Sequence, residues 1–101
     1  MNEKLLSLLG IARRAGKLSP GFDAAAESIK DGNSALLLLA CDLSERSAGA
    51  IGQKAAQAGV EAVTVDATME QLGNAIGKKQ TGIISVNDSG FAGKMKLLCA
   101  E

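Results

Sequence analysis

A run of seven apolar residues, from Ala35 to Cys41, is the feature of this sequence that most limits its fold. The run shows no alternation of apolar and polar residues, and it is far shorter than the ~20 residues that a membrane-spanning helix needs. A short continuous run of this kind is typical of a strand that is covered on both faces of its sheet. The chain is therefore expected to place helices on both sides of a sheet.

Five segments carry apolar residues at helical spacing and are bounded by residues typical of helix ends. Small polar residues mark the starts, and glycines mark most of the ends. At Thr68, a glutamine three residues later predicts a capping box. The predicted helices are Asn2–Ala15 closed by Gly16, a second from Ser19-Pro20 to Gly32, a third from Ser44 to Gly59, a fourth opened by Thr68 and a fifth capped by Asp88.

Extended segments separate these helices from residue 34 onward. Besides the run at 35–41, the segments Val60–Asp66 and Thr81–Val86 are rich in β-branched residues and are predicted as strands. The alternation of strands and helices predicts an α/β fold, a three-layer α-β-α sandwich with a small mixed, largely parallel sheet. With 101 residues and neither a linker nor a repeat, the chain is expected to be one domain, 1–101.

Composition narrows the classes of function. The chain has no His, Trp or Tyr and two Phe, which excludes His-dependent catalysis and argues against an aromatic platform that stacks bases. Its 11 basic and 11 acidic residues cancel, so indiscriminate polyanion binding is not expected. Cys41 and Cys99 lie far apart, and the N-terminal leucines lack the charge order of a signal peptide. A cytoplasmic protein with reduced thiols is expected.

Two features resemble sites but fail on context. The segment Gly73–Lys78 is similar to a phosphate-binding P-loop, yet it has three residues between its glycines instead of four, and it ends a helix. We favour close packing as its explanation. Asp42 follows the buried strand, where α/β proteins often bind ligands, but no base or second acid accompanies it. A turn or capping role is favoured for Asp42, and no cofactor or metal is expected.

Basic residues are concentrated in two segments that carry no acid. Arg13, Arg14 and Lys17 fall between residues 10 and 22, and Lys78 and Lys79 fall between residues 71 and 87. One interpretation is that these side chains solvate exposed turns. The other is a split patch that holds phosphates, together with the free backbone N–H groups expected at the start of the second helix. The residue pattern leaves both interpretations open.

Longer stretches resemble a known family. Residues 21–32, Gly-Phe-Asp-Ala-Ala-Ala-Glu-Ser-Ile-Lys-Asp-Gly, followed by the strand at 35–41, resemble the signature helix and strand of the ribosomal L7Ae/L30e superfamily. Residues 72–78, Leu-Gly-Asn-Ala-Ile-Gly-Lys, resemble its Leu-Gly-x-Ala-x-Gly segment. The stretches at 8–17 and 86–92 are similar to the bacterial YlxQ-like branch, so the resemblance covers nearly the whole chain.

The resemblance implies a small, non-enzymatic, ribosomal-protein-like protein that binds structured RNA, typically kink-turns, which are sharply bent helices with sheared G·A pairs. In the family, the second helix enters the widened groove by its N-terminus, and a loop before the last strand packs on an extruded base. Carried over to this chain, the expected RNA-binding residues are Lys17, Ser19, Gly21, Phe22, Asp23, Lys30, Lys78, Lys79, Thr81, Gly82 and Ile83.

Three positions of the second helix depart from the family pattern, a Gly-x-Asn-Glu start followed by a Lys. Asp23 stands at the Asn position, Ala24 at the Glu position and Glu27 at the Lys position. An ionised Asp only accepts hydrogen bonds, an Ala reads no base edge, and a Glu repels phosphate. Because each lost polar contact removes about 1–3 kcal/mol of base discrimination, kink-turn specificity is expected to weaken while the lysines retain general RNA affinity.

The expected partners are structured RNA, ribosomal RNA included, and ribosomal or translation-associated proteins. A monomer is expected, and membrane binding is not. Two alternatives to RNA binding stay open. The first is a protein-interaction module that keeps the fold without specific kink-turn binding, which Ala24 and Glu27 suit. The second is a small-molecule or anion-binding protein, or an enzyme, centred on Asp42 and the strand ends.

Overall fold

The computed structural model describes residues 3–100, so the first predicted helical residue, Asn2, lies outside the described part. Within these residues five helices and four strands confirm the predicted α/β class and all five helices. None of the helices in this range has both the length and the apolarity that crossing a membrane requires. The elements are α1 Glu3–Arg14, β1 Leu18–Pro20, α2 Phe22–Lys30, β2 Leu36–Leu39, α3 Glu45–Gln57, β3 Ala62–Thr64, α4 Met69–Ala75, β4 Ile83–Val86 and α5 Ser89–Cys99.

The four described strands form one mixed sheet in the order β1-β4-β2-β3. The apolar run forms β2, which lies inside the sheet and is buried at all four positions, as predicted. Strand β3 runs parallel to β2, whereas β4 runs antiparallel to both of its neighbours. The prediction of a largely parallel sheet is therefore wrong. Thr64 at the end of β3 and Ile83 at the start of β4 both pair with Leu39, so the connection through α4 returns to the same end of the sheet.

Strand β1 is the element that was not predicted. Ser19 and Pro20 belong to this edge strand and do not open a helix, since α2 begins at Phe22. The β1 strand pairs with β4 from Leu18 to Pro20, which gives the edge of β4 its hydrogen-bonding partners. A proline fits an edge strand when its missing N–H faces away from the partner strand.

Helices cover both faces of the sheet, which confirms the α-β-α sandwich. Leu37 and Leu38 are neighbours in β2 and point to opposite faces, as the two-residue period of a strand requires. Leu38 packs in the cluster that α1, α4 and α5 cover. Leu37 packs in the cluster that α2 and α3 cover.

The helix starts follow the predicted capping residues. Ser44, Thr68 and Asp88 cap α3, α4 and α5, each accepting a hydrogen bond from the backbone N–H three residues on. The predicted capping box at Thr68 is complete. The carboxylate of Asp42 accepts a hydrogen bond from the Met69 N–H at 2.8 Å, which confirms the capping role favoured for it.

Candidate nucleic-acid interface

An open groove of about 340 Å³ lies between the start of α2 and the loop that precedes β4. The β1–β4 pairing positions its two walls, because the Gly21 N–H donates a hydrogen bond to the Ile83 carbonyl oxygen at 2.7 Å. The groove brings together six of the residues predicted from the sequence: Gly21, Phe22, Lys78, Thr81, Gly82 and Ile83.

Gly21 is the N-cap of α2, and its backbone conformation requires glycine. Its φ of 96° and ψ of 160° lie in a region that residues with side chains rarely adopt. A Cβ at this position would meet no atom within 4 Å, so the surface in front of Gly21 is open. No side chain caps α2, in contrast to α3, α4 and α5. The N–H groups of its first turn are therefore available to an anion.

The backbone N–H groups before α2 are used differently from what the sequence predicted. Gly21 donates to Ile83, and Pro20 has no N–H. Ser19 pairs with Ser85 in the antiparallel ladder. Every second pair along such a ladder is hydrogen-bonded. Gly21 and Ile83, two residues further along, form a hydrogen-bonded pair, so Ser19 and Ser85 form one as well. The free N–H groups thus start at Phe22, inside α2.

A chain of side-chain hydrogen bonds joins β1, α2 and β4 behind the groove. The Oγ of Ser85, which is fully buried, lies 2.7 Å from both Asn87 Oδ1 and Ser34 Oγ. Asn87 Nδ2 donates to Ser19 Oγ at 2.8 Å, and Ser19 Oγ lies 2.7 Å from Ser28 Oγ in α2. Ser19 Oγ accepts from Asn87, and either hydroxyl of the Ser19–Ser28 pair can be the donor. Ser19 thus holds α2 in place from within the fold.

The loop before β4 is held by close contacts. Thr81 is 5% exposed, and its N–H donates to the Met69 carbonyl oxygen at 3.0 Å. A Cβ on Gly82 would lie 2.6 Å from Leu43 Cδ1, so glycine allows the loop to approach the β2–α3 connection. Ile83 is 3% exposed and packs in the core against α2 and α3. The expectation that the Ile83 side chain packs on a base is therefore corrected, because core packing withdraws it from the surface.

Four residues that line the groove were not among the predicted RNA-binding residues: Pro20, Leu43, Ser47 and Gln80. Leu43 and Phe22 are half-buried and give the groove an apolar floor. No sequence signal identifies Leu43, since it follows β2 and reaches the groove only because the sheet places β2 beside β4.

The exposed face of α2 is acidic. Asp23, Glu27 and Asp31 recur every four residues and are exposed, which places them along one side of the helix. Lys30 lies about 10 Å along the helix axis from Asp23. It lines a separate pocket, between α2 and α3, together with Glu27 and Asp31. The structure therefore separates Lys30 from the groove.

The P-loop-like segment ends α4 and is a packing device, as favoured from the sequence. A Cβ on Gly73 would lie 1.5 Å from the Lys79 carbonyl oxygen, so the backbone of the lysine loop lies directly on the helix. Gly77 has a φ of 73°, and the Lys78 N–H donates to the Gly73 carbonyl oxygen at 2.8 Å. This geometry is the Schellman motif, and it fixes the two lysines beside the groove.

The two basic segments meet at the surface. The guanidinium of Arg13 donates a hydrogen bond to the carbonyl oxygen of Ile76, which ends α4. Lys17 is exposed and precedes β1, so it lies about 13 Å along the strand from Gly21. Lys17 therefore lies outside the groove. Within residues 3–100, no group of three or more acidic or cysteine side chains is placed to hold a metal ion.

On this α/β sandwich, the uncapped start of α2 and the loop that bears Lys78 line one groove. These features define the class of the protein, an α/β sandwich with backbone N–H groups and a lysine available to an anion. The chain belongs to the ribosomal protein L7Ae/L30e/S12e/Gadd45 family, whose model matches residues 3–96. This confirms the resemblance predicted from the sequence.

Individual relatives agree with this assignment. The RNA-binding protein YlxQ of Bacillus subtilis strain 168 is 34% identical over 88 residues, which cover 87% of each chain. A Bacillus halodurans protein of unknown function is 32% identical, with a TM-score of 0.91 over 97% of this chain and 98% of that one. The 15.5kD RNA binding protein of Giardia lamblia, at 20% identity, shares the fold, with a TM-score of 0.73 over 97% of this chain and 92% of that one.

Proposed function

We propose that this chain is a small RNA-binding protein that holds structured, kink-turn-like RNA in the groove between the start of α2 and the loop before β4. The observation that carries the proposal is that the uncapped start of α2 and Lys78 line the same groove. The similarity to a B. subtilis protein named for RNA binding supports it. The chain acts by binding, without catalysis.

Phosphates are held by backbone and lysine groups in this proposal. The N–H groups of the first turn of α2 point at the approaching backbone, and Gly21 leaves room for it. Lys78 and Lys79 add positive charge from the opposite wall, and Lys17 reaches phosphates beyond the groove. Lys30 is not required, because it lies near acids at the far end of α2.

Bases are contacted by side chains on both walls. Asp23, exposed in the first turn of α2, accepts hydrogen bonds from a base amino group. An unstacked base enters the groove and packs on Phe22 and Leu43, while the backbone of residues 81–82 lines its edge. Ala24 and Glu27 contribute no attraction, so kink-turn specificity is expected to be weak.

The experiment compares binding of the purified chain to a kink-turn, a bulged hairpin and a plain duplex at matched salt. Both distorted RNAs are expected to bind more tightly than the duplex. Affinity should fall as salt rises, because phosphate contacts release counterions, and the slope should be modest, because only a few phosphates are contacted. The absence of binding to all three RNAs at low salt would overturn the proposal. The partner in the cell is expected to be cytoplasmic ribosomal RNA, with translation-associated proteins nearby.

A second function is favoured by the acidic face of α2. Asp23, Glu27 and Asp31 are exposed and make no ion pair with the described residues. A protein-interaction module would use this face to bind a basic partner. This alternative would be supported if the chain captures a protein partner, if the complex persists after nuclease treatment, and if the Glu27→Gln variant no longer captures that partner. The hypothesis of a site at Asp42 lacks such support, because that carboxylate caps α4.

A further inference from the structure

Four exposed cations, Arg14, Lys17, Lys78 and Lys79, form what we call the cationic ridge. They lie on the C-terminal turns of α1 and α4, and the two turns have the same geometry. Gly16 and Gly77 each have a φ of 73°, and each is followed by a lysine whose N–H bonds back to the helix, at 3.0 Å after α1 and 2.8 Å after α4. Both turns are Schellman motifs that present a lysine at the same position.

The two turns are joined into one surface that begins at the groove. Arg13 links them through its hydrogen bond to the Ile76 carbonyl oxygen. Gly10 brings α1 close to α4, since a Cβ there would lie 3.2 Å from the Ala75 carbonyl oxygen. Lys78 lines the groove, so the cationic ridge continues from the groove towards the end of α1.

Contacts within the protein do not account for the cations of the ridge. Arg13 has a protein partner, and elsewhere Lys96 pairs with Glu61 at 2.6 Å. The four ridge side chains make no ion pair or hydrogen bond with the described residues. The helix dipole favours cations at a C-terminus by about 0.3–1 kcal/mol each, which explains their tolerance but not their concentration in acid-free segments of a chain with zero net charge.

The opposite side of the groove has the reverse charge. Asp23, Glu27 and Asp31 follow the exposed face of α2 away from the groove. A phosphate backbone leaving along α2 would meet one carboxylate per helical turn, whereas a backbone leaving over the lysine loop meets four cations. Like charges at close range oppose association, and a cationic path favours it.

We infer that the cationic ridge binds the phosphates of a double-helical RNA stem that leaves the groove, so that this stem runs over the C-terminal turns of α1 and α4 and away from α2. The inference rests on the proposed function and adds to it a second binding surface and a direction for the RNA. Arg14, which is not among the RNA-binding residues carried over from the family, becomes a phosphate contact together with Lys17.

The test uses two RNAs with the same internal loop, one with minimal stems and one with a stem long enough to cover the ridge. The wild-type chain is expected to bind the long-stem RNA about tenfold more tightly, and to show a steeper salt dependence with it. The double variant Arg14→Gln/Lys17→Gln should lose most of this advantage. Its salt slope with the long-stem RNA should fall by about two, roughly one for each lost phosphate contact.

The control variant Lys4→Gln/Lys94→Gln removes the same charge from exposed lysines that lie between α1 and α5, away from the ridge. It should bind both RNAs as the wild type does. Equal binding of both RNAs by the wild type, or equal losses in the two double variants, would overturn the ridge and leave the groove in place. Failure of the wild-type chain to bind either RNA would instead overturn the proposed function. Thermal unfolding of each variant verifies that the fold is retained.

Discussion

The N–H of Gly21 donates a hydrogen bond to the carbonyl oxygen of Ile83 at 2.7 Å, across a strand pair that joins residues 62 positions apart. This contact places the start of α2 beside the loop that connects α4 to β4. The groove therefore has two walls fixed by backbone pairing, and a partner can meet both without a rearrangement. Changes at either wall should act on affinity through geometry as well as through charge.

Gly21→Ala should lower both stability and RNA affinity. The φ of 96° is strained for any residue with a Cβ, at a cost of about 1–3 kcal/mol in unfolding free energy. Gly49→Ala is the matched control, because Gly49 lies on an exposed helical position where a Cβ meets nothing within 4 Å. Urea unfolding should show a loss for Gly21→Ala and a small gain for the control. Equal stability of Gly21→Ala and wild type would contradict the N-cap conformation.

Gly73→Ala should displace the lysine loop. The added Cβ would lie 1.5 Å from the Lys79 carbonyl oxygen, so the backbone of the loop has to move, with a stability loss towards the upper end of about 1–3 kcal/mol. RNA affinity should fall with it, since Lys78 and Lys79 leave their positions beside the groove. Gly93→Ala in α5 introduces the same methyl into open space and should leave affinity unchanged. Unaltered affinity in Gly73→Ala would separate the loop from RNA binding.

Asn87→Ala should weaken the attachment of α2 to the sheet. Asn87 accepts from buried Ser85 and donates to Ser19, so its removal deletes two hydrogen bonds of the network, at about 1–3 kcal/mol in total. Asn74→Ala, at an exposed position of α4, should change stability by less than about 0.5 kcal/mol. Chemical unfolding measures both. A similar small effect in the two variants would show that the network contributes little to stability.

The helices and the central strand could be predicted because their signals are local. Ser44, Thr68 and Asp88 each cap a helix by accepting from an N–H three residues on. The apolar composition of the run at 35–41 by itself predicts the buried strand β2. The direction of β4 and the existence of β1 depend on pairing between distant residues, which no local pattern records. Ser19-Pro20 fits a helix start equally well, and the open edge of β4 decides in favour of a strand.

The candidate site was predictable only in part for the same reason. The resemblance placed Gly21 and the loop at 81–83 together, and the groove contains them. Leu43 joins the groove through the order of the strands, and Arg13 bonds to Ile76 across 63 positions of sequence. Ile83 is withdrawn into the core because α2 and α3 cover that face of the sheet.

The two cysteines should differ in reactivity. Cys41 is exposed, whereas Cys99 is half-buried, and burial raises the pKa of the Cys99 thiol above its ordinary value by disfavouring the thiolate. A thiol reagent near pH 8 should therefore modify Cys41 first and Cys99 more slowly. Because the folded state holds the Cys99 thiol proton more tightly than the unfolded state, the contribution of this thiol to the free energy of unfolding is fully present below its unfolded pKa. That contribution falls as pH rises through the folded pKa. Equal modification rates in the folded chain, read by mass spectrometry of Cys41→Ser and Cys99→Ser, would contradict the burial.

Glu27→Lys should strengthen binding to a kink-turn. Glu27 is exposed one helical turn beyond Asp23, where it repels any phosphate that approaches the face of α2. Reversing its charge replaces this repulsion by attraction, so kink-turn affinity should rise several-fold at low salt, and the salt slope should steepen by about one. Glu3→Lys introduces the same charge change at the far end of α1 and controls for net charge. If both variants gain affinity equally, the effect comes from overall charge; if Glu27→Lys gains nothing, the groove-facing orientation proposed for α2 is wrong.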